Sequence, residues 1–347
     1  MSNVLSNVSR PWKTLAFLKT NLVWAIPAAM LLGLLFGALV QPIFLKSLIL
    51  PITFTMVYPM MVNLQIKKIF SGGDYKLQFT TLFLNFGIIP FAALGIGKFF
   101  FHENALSALG MLLAATLPTS GMTISWTGFA KGNLNAAIKM SILGLLIGSL
   151  ATPLYAKWLM GALVEIPLGK IFGQIATIVF LPMILGYATQ RFIIWKYGEV
   201  KYRQDIKQKF PLISTLGVLS IVFTAMALKA ETILSNPSEL LILFAPLLLM
   251  YGITFVLGTI VGKLFFDRED AIALVYGTAP KNLSIALAIA MNAFGKQGSD
   301  IALVIALSFV IQIQSSAWYI KFIDKIFGAS NRMRHAEAIP VKKPASQ

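Results

Sequence analysis

Stretches of about 20 consecutive apolar residues recur along this chain, separated by short connections that hold most of its charge. Each stretch is long enough, as a helix, to cross a hydrocarbon core about 30 Å thick. Of the 347 residues, 57% are hydrophobic and only 12% are charged, whereas soluble domains carry about 25% charged residues. The pattern predicts an all-α integral membrane protein with about ten transmembrane helices. The predicted spans lie near residues 22–41, 46–66, 77–101, 105–129, 134–160, 168–191, 210–230, 237–265, 270–294 and 299–322.

The longest connection, Trp195–Lys209, divides the predicted spans into two halves of about five each. An odd number of spans per half gives the two halves opposite orientations in the membrane. Inverted repeats of this kind are typical of secondary transporters, whose binding sites lie where helices break at matching positions of the two halves.

Lysine and arginine are unevenly distributed between the two sides of the predicted bundle. Of the 29, 21 lie on the side of the N-terminus and 6 on the other side, while Lys139 and Lys281 fall within spans. Basic residues favour the cytoplasmic side. We therefore expect a plasma (inner) membrane protein with a cytoplasmic N-terminus at 1–21 and a disordered cytoplasmic tail at 328–347. The net charge of +16 is explained by basic residues on the cytoplasmic side of a membrane protein, so membrane lipid, and not nucleic acid, is the expected partner.

Residues that bind metals or form disulfides are scarce. The chain has no Cys, and its two His, His102 and His335, are far apart. No metal site, disulfide or cofactor is predicted. Because no nucleophile–base pair falls at membrane depth, an enzyme is not expected either.

Two predicted spans, the fourth and the ninth, are interrupted by small and polar residues around a proline. Proline removes a backbone donor and clashes with the preceding helical turn. Backbone groups freed in this way survive at membrane depth only where they are buried in protein or line a cavity. Two ordinary kinks are the alternative, but the matching positions favour a pair of broken helices at a transport site. The interruptions are Leu117–Thr123 and Tyr276–Ser284, with Pro118, Gly121, Gly277 and Pro280 as the helix-breaking residues.

Lys281 lies near the middle of the ninth span, about 16 Å along the helix from Asp270. A charged group at that depth costs at least about 2.5–3.5 kcal/mol, so a function is the first hypothesis. The alternative is a lysine that snorkels to water from a helix end. Asp and Glu fall only in connections or at span ends, so the expected partners of Lys281 are backbone carbonyls, Asn282, Asn85 or an anionic substrate. Lys139 is only one or two turns into its span, and we expect it to snorkel.

Other polar residues within the spans are candidates for lining a binding site, although singly such residues more often connect helices. Gly144 and Gly148 permit close contact between helices inside the bundle. The candidates are Thr119, Ser120, Thr123, Asn85, Asn282, Ser284 and Gln312.

The broken-helix motifs resemble those of the bile acid:sodium symporter superfamily, which includes the arsenical-resistance (arsenite efflux) transporters. The best matching segments are Pro118–Pro153 and Asp270–Phe294; Tyr58-Pro59-Met60-Met61 and Asn85-Phe86-Gly87-Ile88-Ile89-Pro90 also match. The resemblance implies a panel domain at 22–66 and 168–230 and a core domain at 77–160 and 237–322. Two broken helices would cross in the core, with the substrate bound between core and panel.

The chain departs from the family at its sodium sites. The resemblance implies a carboxylate at Gly277 and a glutamine at Lys281, while Thr123 and Ile124 take the place of ligands of the other sodium and Ser141 is retained. These changes predict degraded sodium sites, an ammonium in place of a sodium ion, and coupling to protons. Thr119 stands where arsenite-efflux members carry a Cys, which removes a thiolate mechanism.

The leading hypothesis is a secondary active transporter of a small organic anion, with Lys281 as its coupling residue. One alternative is efflux of arsenite or another metalloid through oxygen ligands. Another is a membrane receptor that binds its ligand without transporting it. The oligomeric state stays open.

Overall fold

The computed structural model of the chain describes residues 10–40, 42–65, 72–119, 121–235 and 238–328. Ser120, the first nine residues and the tail from 329 onward lie outside the described residues, so the predictions that fall on them stay predictions. The helices are α1 Arg10–Thr20, α2 Leu22–Leu39, α3 Leu45–Val62, α4 Tyr75–Phe100, α5 Ala105–Thr116, α6 Gly121–Phe129, α7 Leu134–Met160, α8 Leu168–Tyr197, α9 Phe210–Leu228, α10 Ala230–Ser235, α11 Ser238–Phe265, α12 Arg268–Thr278, α13 Leu283–Ala293 and α14 Gly298–Phe327.

Eight of these helices, taken with the turns that extend them, are long and apolar enough to cross a membrane. They are α2, α3, α4, α7, α8, α9, α11 and α14. The predicted fourth and ninth spans are each two shorter helices, α5 with α6 and α12 with α13. In its described residues the chain is therefore an all-helical, multi-pass membrane protein, as its apolar stretches predicted.

Short polar residues start the helices around the two breaks. The side-chain oxygens of Asn104, Asn133, Asp267 and Asn282 accept the N–H group three residues on, at 3.0, 3.0, 3.0 and 3.4 Å. These are N-caps, which satisfy a donor that the first turn of a helix leaves unpaired. The helices α5 and α12 end two residues before a proline, because the residue before proline disfavours the helical conformation.

The helices pack in two groups. In the first group, α9 packs against α2 and α3, and α8 packs against α3. In the second, α4–α7 and α11–α14 pack mainly against one another. Nearly all residues of α12 and α13 are buried, whereas much of α2 is exposed. The two breaks therefore lie inside the second group, away from its surface.

Candidate functional site

The two helix breaks lie side by side in the middle of the second group. Pro118 and Lys281 form an antiparallel backbone bridge. The Asn282 N–H donates to the Leu117 carbonyl, with 2.7 Å between nitrogen and oxygen. Backbone groups that each break frees are thus satisfied by the other break, which lets both exist at membrane depth.

The first break is held by the hydroxyl of Thr119 and by a notch on the facing helix α7, formed by Gly144 and Gly148. Thr119 has φ 57°, an unusual value for a β-branched residue. Its single hydroxyl hydrogen is shared between two acceptors, the Pro118 carbonyl oxygen at 2.8 Å and the Met140 carbonyl oxygen at 3.1 Å. On the facing helix α7, a Cβ at Gly144 would lie 2.2 Å from Thr119 Oγ1, and one at Gly148 would lie 2.8 Å from Pro118 Cδ. The close contact predicted for this glycine pair is confirmed, and its partner is the break.

The second break places an ammonium in the interior. Lys281 is 1% exposed, and its Nζ donates to Asn85 Oδ1 at 2.7 Å. Asn85 Nδ2 in turn donates to the Gly277 carbonyl at 2.8 Å, in the last turn of α12. Asn85 lies in a π-helical turn of α4, Phe83–Ile88, a feature often found at functional sites. The amide thus connects a positive charge to the negative end of a helix, which favours the charge.

The backbone of Lys281 is held by Gln312 on α14. Gln312 Oε1 accepts the Lys281 N–H at 2.7 Å, and its Nε2 donates to the Lys281 carbonyl at 3.2 Å. Tyr251 on α11 donates its hydroxyl to the same Oε1 at 3.0 Å. Sequence reasoning missed Tyr251, although a tyrosine in the middle of an apolar helix is a signal that could have found it. Together with Asn85 on α4, residues of three helices therefore hold the second break.

Buried acidic side chains are absent from the part of the chain that the structure describes. The position implied for a family carboxylate, Gly277, has little free space. A Cβ there would lie 2.5 Å from Met140 Sδ and 3.1 Å from Thr81 Cγ2. The positive charge of Lys281 is thus met by the amide oxygen of Asn85, and a larger residue at Gly277 would have to displace Met140.

Most of the predicted site residues are enclosed. Ser284, in the first turn of α13, is half-buried and faces outward more than the others. Ser141 lies on α7, where its hydroxyl donates to the Ala137 carbonyl at 2.8 Å. Gly121 starts α6. The residues that are at most 3% exposed are Asn85, Thr119, Thr123, Lys281, Asn282 and Gln312. In this conformation most of the predicted site residues are therefore shielded from the surroundings of the core.

Lys139, the second lysine within a span, does not snorkel, so that expectation is wrong. It is 4% exposed, forms an ion pair with Asp74, and donates to the Gly72 carbonyl at 3.2 Å. Asp74 also accepts a bond from Gln78 at 3.0 Å. A nearby carboxylate neutralises this lysine, in contrast to Lys281.

Known proteins that are similar to this chain include a resistance protein and proteins described as transporters. The arsenical-resistance protein Acr3 of Alkaliphilus metalliredigens (strain QYMF) is 24% identical over 294 residues, which cover 81% of this chain and 80% of that protein. YocS of Bacillus subtilis (strain 168), described as an uncharacterized sodium-dependent transporter, is 26% identical over 206 residues, 58% of this chain and 61% of that protein. Sodium/bile acid cotransporter 7 of Xenopus tropicalis is 26% identical over 195 residues, 54% of either chain.

The sequence profile of the Sodium Bile acid symporter family matches residues 50–236. That segment is more than half of the chain and includes the first break together with α7, α8 and α9. The resemblance predicted from the broken-helix motifs is confirmed, and the chain belongs to the sodium bile acid symporter family of membrane transporters.

Proposed function

We propose that this protein is a secondary active transporter that moves a small organic anion by alternating access, without sodium. The observation that carries the proposal is the enclosed Lys281 ammonium at the crossing of the two breaks, 2.7 Å from Asn85 Oδ1. In this proposal the ammonium supplies the positive charge that a sodium ion supplies in sodium-coupled relatives. Proton exchange at Lys281 would then couple transport to the proton gradient.

The charges around the crossing support an anionic substrate. The helices α6 and α13 both begin at a break, and helix N-termini attract anions. Lys281 adds a full positive charge in the same place, and the hydrogen bond of its Nζ among the described residues is to the neutral amide oxygen of Asn85. Ser284, half-buried in the first turn of α13, is the predicted site residue best placed to meet a ligand that approaches from outside the core.

The packing of the helices supports the proposed ten spans, with inverted repeats, a panel and a core. The first group, α2, α3, α8 and α9, corresponds to the proposed panel, and the second group to the proposed core. The breaks occupy matching places in the two halves and meet as an antiparallel pair, as two elements of opposite orientation would. We keep the cytoplasmic placement of both termini, which rests on the distribution of Lys and Arg.

Contacts between panel and core support alternating access. The helix α13 packs against α3, α8 and α9, whereas α6 and α12 pack mainly against core helices. Asn292 of α13 donates to Thr53 of α3 at 3.4 Å, and Lys229 at the end of α9 pairs with Asp300 at the start of α14. In the proposed orientation these contacts lie toward the outer side, which fits a conformation that is closed to the outside.

Uptake by proteoliposomes tests the proposal. Carboxylates and sulfonates, from acetate to taurocholate, are first screened for thermal stabilisation of the purified protein. Uptake of a stabilising anion is then measured in sodium or potassium, with and without a proton gradient. We expect wild-type uptake to be equal in the two cations and faster with the gradient. Lys281→Gln should lower it by at least about tenfold, the effect of losing about 1.4 kcal/mol of charge stabilisation.

The matched control is Lys46→Gln, which removes an exposed lysine outside the core and should transport normally. Uptake by wild type that requires sodium would show a working sodium site and would contradict the proposal. Binding of an anion without uptake under any gradient would favour the receptor hypothesis instead.

Metalloid efflux is the second candidate, favoured by similarity to Acr3 along 81% of the chain. Without Cys in the chain, arsenite would have to bind through oxygen ligands. Expression in an arsenite-sensitive bacterial host separates the two. Efflux predicts growth at arsenite concentrations that stop the host, and loss of that growth in Lys281→Gln; the organic-anion proposal predicts no protection.

A further inference from the structure

The proposed cytoplasmic face of the panel carries five lysines that share one surface. We call it the panel basic surface: Lys13 and Lys19 on α1, Lys196 on α8, Lys201 in the turn after α8, and Lys209 just before α9. Lys13, Lys19, Lys196 and Lys201 are exposed, and Lys209 is half-buried. The helix α1 packs against both α9 and α2, which brings its lysines to the side where α8 ends and α9 begins.

Aromatic rings lie beside three of these five lysines. Lys209 Nζ lies 5.6 Å from the centre of the Trp12 ring. The Nζ atoms of Lys196 and Lys201 lie 5.4 and 5.3 Å from the centre of the Tyr197 ring. A ring face attracts an ammonium but leaves its N–H groups able to bind an oxygen. Trp and Tyr with Lys are the composition of the membrane–water interface, where phosphate headgroups lie.

The surface is built on fixed backbone. Tyr202 is 4% exposed, and its hydroxyl donates to the Val62 carbonyl at 3.2 Å. Asn63 Nδ2 donates to the Lys207 carbonyl at 2.9 Å. These bonds attach the segment between α8 and α9 to the end of α3. Its lysines are therefore held at one level, at the ends of three panel helices.

Charges on the same side of the core are arranged differently. There Lys139 pairs with Asp74, and Arg268 pairs with Asp324 at 2.6 Å. Asp270, a further carboxylate at this end, accepts a bond from Asn133 at 2.7 Å. On the panel side the described ion pair joins Arg203 to Glu199, neither of which belongs to the five lysines. Exposed lysines occur on the core side too, but there the described residues include seven Lys and Arg against five carboxylates, whereas the panel side has nine against two. Net positive charge is therefore concentrated on the panel.

We propose that the panel basic surface binds the headgroups of anionic phospholipids, and that this contact holds the panel in the membrane while the core moves. Juxtamembrane lysines attract anionic headgroups, and the attraction adds up along a cluster. The amphipathic position of α1 supports a lipid as the occupant: Ala16 is buried, whereas Phe17 is 65% exposed and free to enter the interface. The proposal rests on the orientation given under the proposed function.

The test compares the full-length protein in phosphatidylcholine nanodiscs with the same protein in nanodiscs in which about a third of the lipid is phosphatidylglycerol. We expect phosphatidylglycerol to raise the thermal unfolding midpoint of wild type by about 4 °C, because a ligand that binds the folded state stabilises it. The five-lysine variant, with Lys13, Lys19, Lys196, Lys201 and Lys209 each changed to Gln, should lose most of this rise.

The matched control changes five exposed lysines elsewhere to Gln and should keep the rise: Lys46, Lys98, Lys170, Lys296 and Lys325. If both variants respond alike, or if wild type ignores phosphatidylglycerol, the proposal is overturned. It is also overturned if inorganic phosphate or soluble glycerol phosphate reproduces the rise in phosphatidylcholine discs, since the ligand is then a free anion. Stabilisation by lipid does not depend on transport. The lipid proposal can therefore fail in this test while anion uptake is observed, and the transport proposal can fail while the lipid effect is observed.

Discussion

Both helix breaks place a proline two residues after the end of a helix, but they differ in backbone conformation and in the chemistry of their side chains. Pro118 and Pro280 each interrupt a helix, and the two backbone segments meet in a bridge between Pro118 and Lys281. At the first break, the Thr119 hydroxyl reaches only backbone oxygens. At the second, Lys281 brings a charge that binds the side chain of Asn85. Two breaks that both follow from a proline can therefore carry different chemistry.

The two breaks are therefore held in different ways. The first break packs closely into the notch formed by Gly144 and Gly148 on α7. The second is an electrostatic centre, because its lysine is enclosed and Gln312 fixes its backbone on both sides. We expect changes at the first break to lower stability, and changes at the second to alter both stability and transport.

Filling the notch should have the largest effect on stability. In Gly144→Leu, the new side chain would overlap Thr119, since a Cβ alone would lie 2.2 Å from Thr119 Oγ1. Overpacking of this kind costs about 3 kcal/mol or more, and we expect the unfolding midpoint in detergent to fall by about 5–10 °C. Gly173→Leu is the control, since a Cβ at Gly173 meets nothing within 4 Å. Equal effects of the two changes would show that the notch does not hold the break.

Removing the hydrogen-bond acceptor of Lys281 should have the second-largest effect on stability. Asn85→Leu leaves a buried ammonium without its side-chain partner, which we expect to cost about 2–3 kcal/mol. Adding Lys281→Met removes the charge as well and should recover most of that loss of stability, while uptake stays at least about tenfold below wild type. A double-mutant cycle by thermal unfolding measures this coupling. Strictly additive effects would mean that the bond between Asn85 and Lys281 contributes nothing.

Removing the hydroxyl at the first break should have a smaller effect. Thr119→Val keeps the branched shape but loses bonds to the Pro118 and Met140 carbonyls, at a cost of about 1–2 kcal/mol. The control is Thr127→Val, because Thr127 Oγ1 is buried and has no hydrogen-bond partner among the described residues. That change should be neutral or stabilising. A Thr119→Val variant that transports no better than Lys281→Gln would break the proposed division between the two breaks.

Tyr251→Phe should have the smallest effect. It removes a single hydroxyl bond to Gln312, worth about 1 kcal/mol, while both bonds from Gln312 to the Lys281 backbone remain. Gln312→Leu loses those two bonds as well and should lower the unfolding midpoint further. Finding the two variants equally unstable would assign the support of the second break to Tyr251 instead of Gln312.

Features that depend on local sequence could be predicted. Apolar length predicted where helices lie, and Pro118 and Pro280 predicted where two of them end, because both effects act within a few residues. The depth of Lys281 followed from counting helical rise. Its partner did not, since Asn85 was one of several candidates and is 196 residues away along the chain.

Features that depend on packing could not be predicted in the same way. Lys139 lies close enough to the end of its span that we expected it to snorkel to water. In the structure it forms an ion pair with Asp74, 65 residues earlier in the chain. Met140 occupies the space beside Gly277, but nothing in the sequence indicates that these two residues are neighbours. The geometry of neighbouring helices decides both outcomes.

The bond from the Asn282 N–H to the Leu117 carbonyl joins the two halves of the chain through atoms that every residue other than proline possesses. A substitution at either position can leave it intact. Side chains around the crossing can thus diverge while the crossing itself persists. A scaffold of this kind tolerates exchanges at its centre without first having to evolve a new fold.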